Sequence, residues 1–223
     1  MNKMDLAETL GKSRVIPVIA IDDADKAVPL AQALVKGGLP VLEVTFRTDA
    51  AAEAIAAICR SVPEAIVGAG TVLSPGQVLA AKEAGAKFCV APGFDPAVIK
   101  AANEAGMPFC PGIATASELS QAISAGCKVV KFFPAEAAGG VGMIKNLLGA
   151  FRHTGVKFMP TGGVNLRNLG DYLAVGEVVC CGGTWIVPKQ AVSSGDWAEI
   201  ERLSREAVAL AACNIENKDC GGK

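Results

Sequence analysis

The chain has 223 residues, 51% of them hydrophobic and 19% charged, which suits a single domain with a large buried core and excludes a disordered chain. Its 21 basic and 22 acidic residues leave a formal net charge of -1, so no overall field draws nucleic acid or an anionic membrane, and any anionic ligand has to be held locally. No charged and apolar leader opens the chain, and no span of about 18 apolar residues interrupts it, from which a soluble, cytoplasmic protein is expected.

In chain order, the residues from Met1 to Asp5 enter a short amphipathic helix, and a strand-like run follows over 14–21. Gly37-Gly38 precede the next run, 41–46, and a third covers 65–72. From there the pattern is regular. Gly85, Gly106 and Gly126 fall about 20 residues apart, each followed at once by an apolar run: 87–92, 108–113 and 129–134. A glycine just past a helix is the natural left-handed cap, so each interval reads as one strand plus one helix. Gly155 and Gly176 introduce the last two runs, 157–161 and 178–183, and an Ala-rich helical pattern follows each strand.

Eight alternating units predict an α/β fold, a (β/α)8 TIM barrel of one domain over residues 1–213 with a short N-terminal helix. An open doubly wound sheet is the alternative, and the lack of a G-x-G-x-x-G after the first strand counts against it. The polar, Gly-ending stretch 214–223 reads as a flexible tail in which Cys220 is incidental. The other cysteines that lie in or beside apolar runs, Cys89, Cys110, Cys127, Cys180 and Cys181, form no C-x-x-C and read as reduced small hydrophobes.

In such a barrel, chemistry gathers at the carboxyl ends of the strands. His153, the single histidine, falls at the opposite mouth and reads as a surface residue, which leaves no Ser-His-Asp triad or His-bearing metal cluster. On the second strand, alternation puts Glu43, Thr45 and Arg47 on one face, either an acid and a base for catalysis or a rim ion pair. The third strand ends with Gly68, Gly70 and Thr71, where small residues leave room for a ligand or a packed neighbour. Pro92 and Pro111, at the ends of the next two, read as residues that shape loops.

The sixth strand carries the least expected side chain. Lys131 sits between Val130 and Phe132 in an apolar run, where an unpaired ammonium is costly. It either finds a carboxylate, snorkels out of the mouth, or gives up its proton and becomes a nucleophile able to form a Schiff base with a ketone. After the last two strands, Thr161-Gly162-Gly163 and Gly182-Gly183-Thr184 read as turns that expose backbone N–H groups where barrels bind phosphate, each helped by a following helix N-terminus.

Taken together, Leu42-Glu43-Val44-Thr45-Phe46-Arg47, Val67-Gly68-Ala69-Gly70-Thr71-Val72, Val130-Lys131-Phe132-Phe133-Pro134-Ala135-Glu136, Pro160-Thr161-Gly162-Gly163-Val164 and Gly182-Gly183-Thr184-Trp185 resemble the 2-keto-3-deoxy-6-phosphogluconate (KDPG) aldolases. The resemblance spans about Arg14 to Ala211. It implies a class I, metal-free and cofactor-free aldolase of the Entner-Doudoroff pathway. Such an enzyme cleaves KDPG to pyruvate and glyceraldehyde 3-phosphate, and in many members 4-hydroxy-2-oxoglutarate as well. It also implies a homotrimer. Carried onto this chain, Lys131 is the Schiff-base residue and Glu43 the general acid-base, with Arg47 and Thr71 holding the keto-acid carboxylate. Phe133 and Pro92 line the pocket, and Thr161, Gly162, Gly163, Gly183 and Thr184 complete the substrate site at its phosphate end. Thr184 stands where many relatives have Ser, which keeps the hydroxyl and adds a methyl group. The galactonate epimer of the substrate is an alternative, since no residue is legible as the reader of the one differing hydroxyl. Rival readings are an isomerase or epimerase in which Lys131 is only an electrostatic stabiliser, and a silent sugar-phosphate sensor.

Overall fold

The computed structural model describes residues 4–219. Helix α1 (Leu6–Ser13) starts at Asp5, whose carboxylate accepts from the Glu8 backbone N–H. The chain then alternates strand and helix: β1 (Val15–Ile19), α2 (Ala27–Lys36), β2 (Val41–Thr45), α3 (Ala51–Ser61), β3 (Ile66–Gly70), α4 (Pro75–Glu83), β4 (Phe88–Val90) and α5 (Pro96–Glu104). It continues with β5 (Phe109–Cys110), β6 (Gly112–Ile113), α6 (Ala116–Ser124), β7 (Val129–Phe132), α7 (Gly140–Phe151), β8 (Lys157–Pro160), α8 (Leu169–Leu173), β9 (Cys181–Gly183), α9 (Lys189–Ser194) and α10 (Trp197–Asp219). The expected caps are largely in place, with left-handed Gly85, Gly106, Gly126 and Gly155, whereas Gly176 does not adopt that conformation. Helix α10 continues past 213 into the stretch read from sequence as a tail, and Cys220 lies outside the described residues.

Every strand pairing is parallel, as the alternating pattern predicts, but the strands fall in two sheets: β5-β4-β3-β2-β1-β9 and β6-β7-β8. Two causes are visible. Pro111 has no N–H to give a ladder and divides the expected fifth strand into β5 and β6, although its carbonyl still accepts from Lys131 N at 2.8 Å. The expected eighth strand is reduced to Cys181–Gly183, and it meets the run of β8 through two isolated bridges, Phe158 to Val178 and Thr161 to Gly182.

Alternation along the strands sorts the core into two clusters. Leu42, Val44, Val130 and Phe132 belong to the large cluster that includes the buried faces of the helices. Ile16, Val41, Phe88, Val90, Val129 and Met159 form a second cluster together with Leu6 and Leu10 of α1. Glu43 and Lys131 are two residues on from Val41 and Val129, so they continue the second face towards the carboxyl ends of the strands. That is the reason two charged side chains are fully enclosed.

The seven cysteines among the described residues are free, and of the five expected to be small apolar fillers Cys89, Cys110, Cys180 and Cys181 are buried and Cys127 half-buried. Burial pushes the Cys89 thiol up to about 12 and the Cys127 thiol up to about 11, and raises Cys110, Cys180 and Cys181 further, so none of these five is a ready thiolate. His153 is exposed in a 3-10 turn ahead of β8. No described helix is long and apolar enough to cross a membrane.

Candidate active site

A cavity of about 230 Å³ opens at the carboxyl ends of the strands. It is lined by Val18, Arg47, Thr71, Pro92, Lys131, Phe133, Thr161, Gly162, Gly163, Gly183 and Thr184. Ten residues singled out from sequence therefore meet on one surface, though they come from six different strands or the loops after them. Glu43 lies beneath it. Val18 is the addition, an apolar residue of β1 in register with Glu43, with no chemistry in its side chain to announce it.

Lys131 is in register with Gly112 on one side and Met159 on the other, and its Nζ donates to Glu43 Oε1 at 3.1 Å. The lysine side chain is 5% exposed and the glutamate 0%, so the pair is shielded from solvent. Of the fates open to a lysine in that strand, it has found the carboxylate. The Phe133 ring covers the same amine, with its centroid 5.5 Å from Nζ.

The carboxylate fits only because β3 is small there. A Cβ on Gly70 would lie 2.3 Å from Glu43 Oε1, and one on Gly68 would enter the Phe88 ring. These glycines therefore make room for packed neighbours, one of them the acid itself. Among the described residues the second oxygen, Glu43 Oε2, is buried without a hydrogen-bond partner, as is Thr161 Oγ1. An orphaned buried acceptor costs about 1–3 kcal/mol, so two of them at one cavity mark groups that await a ligand or a water.

Arg47 is exposed at the rim, and its placement depends on Thr45, which sequence reading put on the same face without a role. Thr45 Oγ1 donates to the Ile19 carbonyl at 2.7 Å, leaving its lone pairs to accept from Arg47 Nε at 3.0 Å. Thr71 has φ of 53°, a left-handed backbone that a β-branched residue adopts at a cost of order 1–3 kcal/mol, and such strain collects at functional sites.

The two Gly-Gly segments differ. Gly162 and Gly163 form a true turn, with φ of 97° and 84°, and among the described residues their N–H groups donate to no protein acceptor. Gly182 and Gly183 instead belong to β9, in contrast to the expected turn. Their lack of side chains is steric: a Cβ would meet Thr161 Oγ1 at 2.4 Å from Gly182, and the Trp185 ring from Gly183. The helices that follow, α8 and α9, are short and begin at Leu169 and Lys189.

A second cavity, about 270 Å³, lies at the amino ends of the strands among Leu6, Met107, Phe109, Cys127 and Lys128. It is the larger of the two; Asp5, Cys127 and Lys128 are in its lining, but the Asp5 carboxylate caps α1 by accepting from Glu8 N and burial raises the Cys127 thiol. Among the described residues no cluster of three or more His, Cys, Asp or Glu side chains is arranged to hold a metal.

Residues 6–203 match the sequence profile of the aldolase family described as KDPG and KHG aldolase. The chain belongs to that family. Among the family's curated members, the KHG/KDPG aldolase of Escherichia coli (strain K12) is 51% identical over 194 residues, which cover 87% of this chain and 90% of that protein. A crystal structure of the Legionella pneumophila KDPG aldolase, with pyruvate captured as a covalent carbinolamine intermediate, superposes with a TM-score of 0.88 at 41% identity. It covers 92% of this chain and 98% of the Legionella chain. The Zymomonas mobilis aldolase solved with 3-phosphoglycerate gives a TM-score of 0.84 at 40% identity, over 92% and 96% of the two chains.

Proposed function

We propose that this family member is a class I aldolase that cleaves KDPG to pyruvate and glyceraldehyde 3-phosphate, and 4-hydroxy-2-oxoglutarate to pyruvate and glyoxylate. The observation that carries the reading is the enclosed contact between Lys131 Nζ and Glu43 Oε1 at the floor of a cavity whose rim bears Arg47. The family relatives support it: the E. coli member is named for both substrates, and the Legionella structure holds pyruvate covalently.

The mechanism follows from the pair. Moving one proton from Lys131 to Glu43 across their contact produces a neutral amine and a neutral acid, the two forms that the first steps need. Lys131 Nζ attacks the C2 carbonyl to give a carbinolamine. Protonated Glu43 gives its proton to the departing hydroxyl, water leaves, and the cationic imine remains. Glu43, now a carboxylate, takes the C4 hydroxyl proton. The electrons of the C3–C4 bond flow into the imine, releasing the aldehyde and leaving an enamine. Protonation at C3 and hydrolysis return pyruvate and free Lys131.

Arg47 suits the substrate carboxylate through its planar two-pronged donor, with the Thr71 hydroxyl beside it, and Pro92 and Phe133 form apolar walls. Gly162 and Gly163 offer backbone donors to the phosphate, with Thr161, Gly183 and Thr184 around it. The fold reading is one (β/α)8 domain over 1–213. In it β5 and β6 count as one interrupted strand and the two bridges beside β9 complete the circuit, which gives eight parallel strands in a ring. A cytoplasmic homotrimer, as the resemblance implies, completes the proposal, and light scattering on the purified chain tests the trimer.

The deciding experiment is borohydride reduction with pyruvate, read by mass spectrometry of the intact chain and its peptides. A reduced pyruvyl adduct on the peptide holding Lys131 is expected. An unmodified chain sinks the aldolase reading in favour of an isomerase without a covalent intermediate.

A further inference from the structure

The loop after Lys131 contains a contact that the chemistry at the amine does not use. Glu136 Oε1 accepts a hydrogen bond from the hydroxyl of Tyr172, a fully buried residue of α8. Gly140, left-handed with φ of 59°, lies beside the pair, and a Cβ there would lie 3.3 Å from Glu136 Oε1 and 3.5 Å from the Tyr172 oxygen. The stem of Glu136 packs on the Gly162-Gly163 turn closely enough that a Cβ on Gly163 would fall 2.5 Å from Glu136 Cγ.

Backbone bonds join the same loop to the turn. Ala135 N donates to the Thr161 carbonyl at 2.8 Å, and Glu136 N to the Gly162 carbonyl at 3.0 Å. The Gly163 carbonyl accepts from the side-chain amides of Asn165 at 2.9 Å and Asn168 at 3.2 Å. Each carbonyl shares a rigid peptide plane with the next N–H, which points the opposite way. Holding the Thr161 and Gly162 carbonyls therefore aims the N–H groups of Gly162 and Gly163 away from the loop.

We infer that Tyr172 and Glu136 are positioning residues for the phosphate end of the substrate: Tyr172 pins Glu136, and Glu136 sets the peptide planes whose N–H groups receive the phosphate. The inference rests on the reading of this turn as the phosphate site. Tyr172 is suited to the task because burial, and then its bond to Glu136, push its phenol well above the ordinary range, so it remains a donor at any working pH.

The test compares two aldols on the full chain: KDPG, and 4-hydroxy-2-oxoglutarate, which carries no phosphate. Tyr172→Phe and Glu136→Ala are expected to raise KM for KDPG about tenfold, with kcat within about twofold. The ratio of kcat/KM for KDPG to that for 4-hydroxy-2-oxoglutarate then falls by about the same factor. Glu136→Gln keeps an acceptor for Tyr172 and is expected to rescue most of that ratio. Thr184→Val serves as the reference for the phosphate site itself. If Thr184→Val lowers the ratio while Tyr172→Phe and Glu136→Ala leave it at the parent value, the positioning role is overturned and the phosphate reading stands. An unchanged ratio in all three variants overturns the phosphate reading and the inference with it. Equal losses on both substrates in Tyr172→Phe, with a lowered Tm, mean a structural role only and also overturn it.

Discussion

The amino and carboxyl ends of the strands are built on the same face and finished in opposite ways. At the amino end Leu6 and Leu10 of α1 join Ile16, Val41 and Val129 in an apolar cluster, beside the larger cavity. At the carboxyl end the face continues as Glu43 and Lys131, with two orphaned oxygens and the left-handed Thr71 around a smaller cavity. Cavity size does not separate them. What does is the kind of cost each end carries: the amino end buries apolar area, while the carboxyl end keeps enclosed charge and strain that a folding-only design would have removed.

Substitutions at the two ends should therefore separate activity from stability. The largest effect is expected from Lys131→Met, which removes the proposed nucleophile and lowers kcat/KM at least about a thousandfold. It also strands Glu43, so urea unfolding is expected to show a loss of about 3 kcal/mol, most of it regained when Glu43→Gln is added. Equal stability of the single and double variants would mean that the pair is not buried as described. Leu10→Ala acts at the other end. A loss of about 3 kcal/mol in the same unfolding measurement, with kcat/KM within about twofold of the parent below the transition, is the expected outcome. A large fall in kcat/KM would show that the two ends are not separable.

Smaller effects sharpen the contrast. Arg47→Lys keeps the charge but loses the planar donor and its bond to Thr45, so kcat/KM for the keto-acid substrate is expected to fall about tenfold or more with little change in Tm. Activity equal to the parent would remove Arg47 from the carboxylate site. Lys128→Gln, at the exposed edge of the amino-end cavity, is expected to change stability by less than about 0.5 kcal/mol and activity not at all. A measurable loss of activity there would give the amino-end cavity a role.

The eight alternating runs, the helices between them and most glycine caps were legible because periodicity and backbone demands are written locally. So was Lys131, since a charge inside an apolar run is conspicuous wherever the chain goes. Strand pairing was less so: a proline inside a run does not say whether the ladder will divide, and Gly182-Gly183 reads as a turn until the neighbouring Thr161 and Trp185 show that it is a strand needing clearance. Val18, Thr45 and the Tyr172–Glu136 contact were hidden for the same reason, as their roles come from partners distant in sequence.

The sequence alone therefore determined which side chains are candidates for the chemistry and, by alternation, that Glu43 and Arg47 share a face. Tertiary structure decided that Lys131 meets Glu43 at 3.1 Å instead of reaching solvent, because only the assembled strands exclude water from that floor. It also decided which glycines are turns and which are clearances, since steric room depends on residues that the local sequence does not contain.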